Sequence, residues 1–143
     1  NNWITVGASG DPKIGGYTAN FSNYGKKEVD VFAPGVKIWA TVPGTNTYQF
    51  LQGTSMASPV VAGLAALIME YFPKLTAAQV KQVIEQSAQN PGENVRNPGN
   101  GEEVSLSELS RSGGIINAFE AVKLAESLKG GRKAKTPSTK KAF

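Results

Sequence analysis

The chain has 143 residues, enough for one globular domain, and with 40% hydrophobic and 18% charged residues it is neither a disordered nor a fibrous sequence. Its formal net charge of +4 comes from residues 129–143, which hold six basic residues and no acid, whereas the other 128 residues hold nine basic and eleven acidic residues, a net charge of −2. No cysteine is present, which excludes disulfides and thiol chemistry.

Short strands separated by turns are predicted in the first third of the chain. Apolar and β-branched residues indicate strands at residues 3–8, 29–35, 37–42 and 48–52. The polar and aromatic segment 17–25 is predicted to be irregular. Because the chain opens in strand-like sequence, we expect sequence to be missing upstream of Asn1.

A long apolar helix is predicted after residue 55. Val60, Leu64 and Ile68 have helical spacing, but the positions between them are apolar too, so we expect burial on every side. Pro59 fits only near a helix start. The charge-free stretch 56–69 is too short for a bilayer, so no membrane span is expected. The few short strands predicted cannot enclose such a helix, and we expect sequence outside the chain to supply part of the sheet.

Two further helices, separated by a long excursion, are predicted in the second half. Thr76 and Gln79 form a capping-box pattern that starts the first of these helices. Residues 90–114 are rich in Gly, Pro and Asn and hold one short element, "VSLSEL". Asn117 is predicted to cap the last helix, with Glu120 reaching back to it.

A flexible basic tail is predicted at residues 129–143, after a single domain at residues 1–128. We interpret the tail as a solvated linker, because it is rich in Gly, Pro and Ser and has no aromatic residue before Phe143. No nucleic-acid partner is expected. A nucleic-acid or membrane patch is the alternative, which the lack of a clear amphipathic face disfavours.

The stretch "GTSMASP" places a serine between a predicted strand and the apolar helix. Such a turn lifts the serine oxygen clear of the backbone and aims free N–H groups and the positive end of the helix dipole at the same point. Ser55 is therefore a candidate nucleophile, with its own amide as oxyanion donor and the Thr54 hydroxyl nearby. The alternative is that Thr54, Ser55 or Ser58 caps the helix.

A serine nucleophile needs a general base, and the chain has no histidine. No lysine lies between Lys37 and Lys74, so a lysine base is not favoured. Either the chain is inactive or its catalytic partners lie on other sequence. In α/β-hydrolases the histidine follows the serine, which this sequence excludes, whereas a plan in which acid and histidine precede the serine stays open.

Five segments of the chain resemble the subtilisin-like serine proteases. They lie between Trp3 and Ala125 and read "WITVGASG", "YTANFSNYG", "VDVFAPGVKIWATVPG", "GTSMASPVVAGLAALI" and "GGIINAFEAV". The fourth is the most specific. The resemblance implies an α/β protein with the subtilisin-like three-layer fold and a mainly parallel sheet, of which only the C-terminal portion is present.

The resemblance also implies roles for the residues around the serine. Ser55 matches the nucleophile, and Thr54 and the Ser55 amide match secondary oxyanion donors. Gln52 and Gly53 match positions that line the substrate cleft, and Leu51 lies near the side of the leaving group. Met56 is similar to an oxidation-sensitive position, where a sulfoxide would crowd the oxyanion site.

Other family features are implied to lie elsewhere. The catalytic aspartate and histidine and the oxyanion-hole asparagine belong upstream of Asn1. Some members bind a weak cation with acids placed like Glu28 and Asp30, although we favour a solvent-facing acidic pair here. No cofactor is expected, and a structural calcium ion stays an option for the full-length enzyme. The family often has histidine at the position of Val60, which is a packing position.

The resemblance implies a serine endopeptidase that hydrolyses peptide bonds through an acyl-enzyme on Ser55. The chain alone is expected to be inactive, and its partners are a protein or peptide substrate and the missing N-terminal half of the catalytic domain. A secreted or extracytoplasmic location is implied, although the chain has no signal peptide. Two alternatives stay open: a non-catalytic, subtilase-derived module that binds peptides or is structural, and a regulatory domain whose tail binds anionic partners.

Overall fold

The computed structural model describes residues 2–44 and 46–128, so the predicted tail at 129–143 lies outside the described residues. The described part has six strands and four helices. In chain order they are β1 (Val6–Ser9), β2 (Val31–Pro34), β3 (Ile38–Val42), β4 (Thr47–Leu51), α1 (Thr54–Tyr71), α2 (Ala77–Gln86), β5 (Val95–Arg96), β6 (Glu103–Val104), α3 (Leu106–Leu109) and α4 (Ala118–Ser127).

The centre of the fold is the parallel pair of β1 and β2, in which Val6 lies opposite Val31 and Ser9 opposite Pro34. Every residue of the pair except Pro34 is buried, as is typical of parallel strands covered on both faces. α1 packs against both strands, and α2 and α4 pack against α1 and each other. The chain is therefore an α/β protein, as predicted.

The antiparallel hairpin of β3 and β4 leads into α1. Its strands lie within one residue of the predicted bounds. On one face the ring of Trp39 lies 6.1 Å from that of Tyr48 and 4.6 Å from that of Phe50, centroid to centroid. All three rings are more than half exposed, so the hairpin adds little to the core.

Helix α1 is buried on one side only, which corrects the expectation of burial on every side. Its buried positions are Ala57, Val61, Leu64 and Ile68. On the other side of the helix, Val60, Leu67 and Met69 are 37%, 41% and 39% exposed. The apolar outer face of α1 therefore lacks a covering layer in residues 2–44 and 46–128.

Two other expectations about α1 can be compared with the structure. The helix has 18 residues and a mean hydropathy of 1.2, so by length and composition alone it is long enough to cross a membrane, although the charge-free stretch 56–69 within it is shorter. In this fold it instead packs on β1 and β2 as a core helix. Pro59 is its sixth residue rather than its first, and because proline has no N–H, the Ser55 carbonyl lacks its usual intrahelical donor.

The caps of the later helices agree in part with the prediction. The capping box of α2 is confirmed: Thr76 Oγ1 accepts the Gln79 N–H at 3.2 Å, and Gln79 Oε1 accepts the Thr76 N–H at 2.9 Å. Asn117 Oδ1 caps α4 by accepting the Glu120 N–H at 3.0 Å. The Glu120 carboxylate does not reach back as predicted, because it pairs with Lys123 at 3.2 Å.

Candidate active site

The turn that carries Ser55 is hydrogen-bonded to the carboxyl ends of the parallel strands. The Gly35 N–H, just after β2, donates to the Ser9 carbonyl at the end of β1, over 3.0 Å. The Gly53 N–H, just before α1, donates in turn to the Gly35 carbonyl over 2.8 Å. Ser55 therefore stands at the sheet edge where ligands of open α/β folds bind.

Two glycines make this close approach feasible. Gly53 has φ 149°, a conformation that L side chains rarely adopt. At Gly35 the limit is space, since a Cβ there would lie 2.7 Å from the Ala8 Cβ and 2.8 Å from the Gly53 carbonyl oxygen. The position of the serine-bearing turn thus depends on glycine both in the turn and beneath it.

Ser55 is exposed, and its hydroxyl has no hydrogen-bond partner in the described part of the chain. The cap of α1 is Gly53, and no side chain caps the helix. Ser58 instead donates its hydroxyl to the Thr54 carbonyl at 3.1 Å. The interpretation of Thr54, Ser55 or Ser58 as a helix cap is therefore wrong.

Free backbone donors lie in the same turn as this hydroxyl. Within residues 2–44 and 46–128, the amides of Thr54 and Ser55 donate to no backbone carbonyl, as is usual in the first turn of a helix. The helix dipole adds partial positive charge at this end of α1. The Met56 and Ala57 amides differ, because they donate to the Gly53 carbonyl at 3.0 and 3.3 Å. The turn can therefore hold an exposed oxygen beside two unpaired donors.

The other predicted site residues lie on both sides of the serine. Leu51, Gly53, Thr54 and Met56 are half-buried, whereas Gln52 is exposed. The structure places them on one continuous turn between β4 and α1. Gln52 also lines a separate depression, described next.

A cleft of about 620 Å³ opens beside Gln52, and sequence reasoning missed most of its wall. One side is the loop at residues 10–21, and the other is residues 96–101 in the ribbon of β5 and β6. The Thr18 hydroxyl donates to the Arg96 carbonyl at 2.5 Å and joins the two sides. The only sequence signal was the length of the 90–114 excursion, which was predicted as a loop with one short element.

Asp30 is not the solvent-facing acid that the sequence suggested. Its side chain is 5% exposed, and Oδ2 accepts hydrogen bonds from Lys81 Nζ at 2.8 Å and from the Thr5 N–H at 2.9 Å. Arg111 Nε lies 3.5 Å from Oδ1. Glu28 is exposed and accepts the Lys27 N–H at 3.2 Å. Because Asp30 is neutralised by protein cations, the pair is poorly suited to the cation considered above.

The ion cluster of Asp30, Lys81, Glu85 and Arg111 shifts two carboxyl pKa values in opposite directions. Burial alone would raise the pKa of Asp30, but hydrogen bonds from Lys81 and the Thr5 amide hold it below its usual value. Burial, followed by the neighbouring Asp30 carboxyl group, raises the pKa of Glu85. Glu85 Oε1 lies 3.4 Å from Lys81 Nζ but has no hydrogen-bond partner in the described residues.

Comparison with known proteins identifies the family. The model of the subtilase family (peptidase S8) matches residues 1–105, about three quarters of the chain. The chain belongs to the subtilase family. Among curated relatives, it is 48% identical over 90 residues to subtilisin DY from Bacillus licheniformis, an alignment that covers 63% of this chain and 31% of that protein. It is 53% identical over 70 residues to subtilisin E from Bacillus subtilis (strain 168), covering 49% of this chain and 18% of the relative.

Solved structures agree with the fold assignment. The structure of the patellamide maturation protease PatA matches 87% of this chain and 43% of its own, with a TM-score of 0.67 and 28% identity. A protease of Pseudoalteromonas arctica matches 87% of this chain and 36% of its own, with a TM-score of 0.63 and 29% identity. The subtilisin-like fold is thereby confirmed. The subtilase chain spans about a third of subtilisin DY and less than half of PatA.

Proposed function

We propose that this subtilase chain is the serine-bearing part of the catalytic domain of a serine endopeptidase. One observation carries the proposal: Ser55 presents an exposed, unpartnered hydroxyl beside free amides at the carboxyl edge of the parallel strands. A helix cap or a packing residue would have its hydroxyl engaged. A nucleophile must keep its oxygen available to the substrate carbonyl.

The chemistry follows the serine-protease pattern. Ser55 Oγ attacks the scissile carbonyl carbon and loses its proton to a base, which passes the proton to the departing amine. Water, deprotonated by the same base, then hydrolyses the acyl-enzyme, and the proton returns to Ser55 Oγ. The Ser55 amide donates to the oxyanion that develops on the attacked carbonyl, and Thr54 adds a hydroxyl nearby. Because these 143 residues contain no histidine, the base is proposed to come from sequence outside them.

The exposed outer face of α1 supports the proposal that this chain packs against a partner. Its exposed apolar side chains, such as Leu67 and Met69, would be covered by the N-terminal half of the same catalytic domain, which would also bring the histidine and aspartate. Alone, the chain is proposed to be inactive. Protein or peptide is the substrate class, and a secreted or extracytoplasmic location is inferred from the family resemblance.

The reaction as proposed needs no cofactor. Acyl transfer to serine is completed by amides, a base and water. Asp30 already pairs with Lys81, so a structural calcium ion would lie elsewhere in the full-length enzyme. Such an ion is compatible with the proposal.

A fluorophosphonate, which phosphonylates activated serines with loss of fluoride, tests the proposal. In the full-length protein, mass spectrometry should locate one adduct on Ser55, and Ser55→Ala should abolish it while Ser58→Ala keeps it. The isolated 143-residue chain should give no adduct and no turnover of a chromogenic peptide.

Two outcomes would contradict parts of the proposal. A folded full-length protein that forms no adduct would favour the non-catalytic alternative, a subtilase-derived module that binds peptides or is structural. Turnover by the isolated chain that disappears in Ser55→Ala would refute its inactivity and point to a base within these residues.

A further inference from the structure

We propose that the cleft beside Gln52 binds the part of the substrate that follows the scissile bond, and that Lys37 and Arg96 make it select acidic residues there. The inference rests on the proposed function, because Gln52 lies three residues before Ser55 and Leu51 is expected on the leaving-group side. The cleft volume of about 620 Å³ is in the range of small-ligand sites, enough for a short peptide segment.

The charges in the cleft are unbalanced. Its charged lining residues are Asp11, Lys37 and Arg96. Neither Lys37 nor Arg96 takes part in an ion pair within the described residues. Asp11 is partly occupied by its own loop, since Oδ1 accepts the Lys13 N–H at 2.9 Å. The cleft therefore offers two unpaired cations to a ligand carboxylate.

Lys37 holds a backbone conformation that its side chain disfavours. With φ 52°, it is the one non-glycine residue with positive φ in the described part of the chain. Glycine or asparagine would adopt this conformation at lower cost. Lys37 follows Gly35 and Val36, the segment whose Gly35 carbonyl accepts the Gly53 N–H. A lysine kept under strain beside the serine-bearing turn is consistent with a role for its charge.

Arg96 is held against the opposite wall by the backbone around it. Its carbonyl accepts the Thr18 hydroxyl, and its N–H and C=O lie in the ribbon opposite Glu103. The guanidinium lies over Gly101, where a Cβ would come within 3.4 Å of Arg96 Nε. The cleft lining also includes apolar side chains such as Ile14 and Val36, which can accommodate the aliphatic part of an Asp or Glu residue.

A matched peptide series tests this selectivity in the full-length protein. Each fluorogenic peptide carries Asp or its neutral isostere Asn at one of the three positions after the scissile bond. We expect kcat/KM to favour Asp by about fivefold at one position, the size of a pair of exposed charge contacts. The ratio should fall to about one in Lys37→Asn/Arg96→Gln, and 0.5 M salt should shrink it, as expected of exposed charges.

Two controls separate the cleft from other basic groups. The variant Lys13→Asn/Lys26→Asn removes the same number of charges from exposed positions outside the cleft and should keep the preference. Deletion of residues 129–143 removes six basic residues and should keep it as well. Lys37→Asn alone should lose part of the preference while its urea midpoint stays the same or rises, because asparagine relieves the strain.

A binding measurement keeps this inference distinct from the proposed function. Fluorescence anisotropy compares the Asp and Asn peptides on Ser55→Ala protein, where no cleavage occurs. Equal affinities would overturn the acidic preference even if Ser55 hydrolyses peptides. The protein could instead prefer Asp peptides through Lys37 and Arg96 and show no Ser55-dependent hydrolysis. That result would support the acidic preference of the cleft and contradict the proposed endopeptidase function. A preference lost on deleting the tail would also overturn the inference.

Discussion

Polar groups are left unpaired in the serine-bearing turn, whereas the central carboxylate of the ion cluster is fully paired. At residues 51–56 a hydroxyl and two amides lack partners, although glycines and strand ends fix the turn firmly. In the ion cluster, Asp30 is almost fully buried, yet its carboxylate receives Lys81, the Thr5 amide and Arg111. Both regions join segments far apart in sequence.

The contrast separates structural polar groups from reactive ones. Unpaired polar groups cost free energy when buried, and the buried carboxylate of Asp30 is accordingly saturated with partners. Groups left unpaired at an exposed, rigid turn are available to a ligand. Changes in the turn should therefore alter activity and leave stability nearly unchanged, and changes in the ion cluster should do the reverse.

The largest expected effect is that of Ser55→Ala. In the full-length protein, peptide hydrolysis should fall by at least about four orders of magnitude, the scale on which a covalent nucleophile contributes. Because the hydroxyl has no partner in the described residues, the free energy of unfolding should change by less than about 0.5 kcal/mol. Steady-state kinetics and urea denaturation measure the two quantities.

Ser58→Ala is the matched control for Ser55. Its hydroxyl donates to a helix carbonyl and lies one turn further along α1. Activity should stay within about a factor of three, since no catalytic contact is removed. If Ser58→Ala were as damaging as Ser55→Ala, the assignment of the nucleophile would have to be withdrawn.

The second effect is on stability, through Lys81→Met. This change leaves Asp30 buried with only the mostly exposed Arg111 as a cationic partner. Breaking a buried pair on one side costs about 3–5 kcal/mol, and Arg111 should keep the loss near the lower figure. Activity of the folded fraction should be retained. Urea denaturation at pH 7 measures the loss.

Lys123→Met provides the comparison on the surface. Lys123 pairs with Glu120 at 3.2 Å, but its side chain is 58% exposed. Exposed pairs contribute about 0.2–1 kcal/mol, so the loss should be several times smaller than for Lys81→Met. Equal losses would mean that burial of Asp30 does not determine the energetics of the cluster.

Features set by neighbouring residues could be predicted from the sequence, and features set by distant residues could not. The strand-to-helix turn at Ser55 and the capping box at Thr76 depend on residues within a few positions, and both patterns are visible in the sequence. Asp30 and Lys81 lie 51 residues apart, and Thr18 and Arg96 lie 78 apart. No periodicity marks such pairs, so the ion cluster and the far wall of the cleft were missed.

Oxidation of Met56, which lies in the serine-bearing turn, should give the third-largest effect, a loss of activity. Met56 is half-buried next to Ser55, and its sulfoxide would intrude on the oxyanion position. Peroxide should lower activity about tenfold or more, as small displacements in an active site can. Met56→Leu should resist peroxide, and Met69→Leu should not, although Met69 is 39% exposed. Protection by Met69→Leu would show that exposure rather than position governs inactivation.

The smallest effect is the pH dependence of Glu85→Gln, on the cluster side. Because burial raises the pKa of Glu85, the folded protein retains a proton that the unfolded chain loses above about pH 4.5. The free energy of unfolding of the parent should therefore fall as pH rises from 4.5 through the raised pKa. Glu85→Gln removes this loss. Its free energy of unfolding should therefore exceed that of the parent at pH 7, and the difference should be smaller at pH 4.

The contribution of Asp30 to the free energy of unfolding changes with pH in the opposite direction. It therefore checks the sign expected for Glu85. The pKa of Asp30 is held low, which means that its contribution is present above pH 3.8 and is lost as pH falls through the folded value. Urea denaturation at pH 7, at pH 4 and below pH 3.8, with the exposed Glu126→Gln as control, measures both. A gain for Glu85→Gln that is larger at pH 4 than at pH 7 would mean that Glu85 is held ionised by Lys81, and that the cluster is saturated at Glu85 as it is at Asp30.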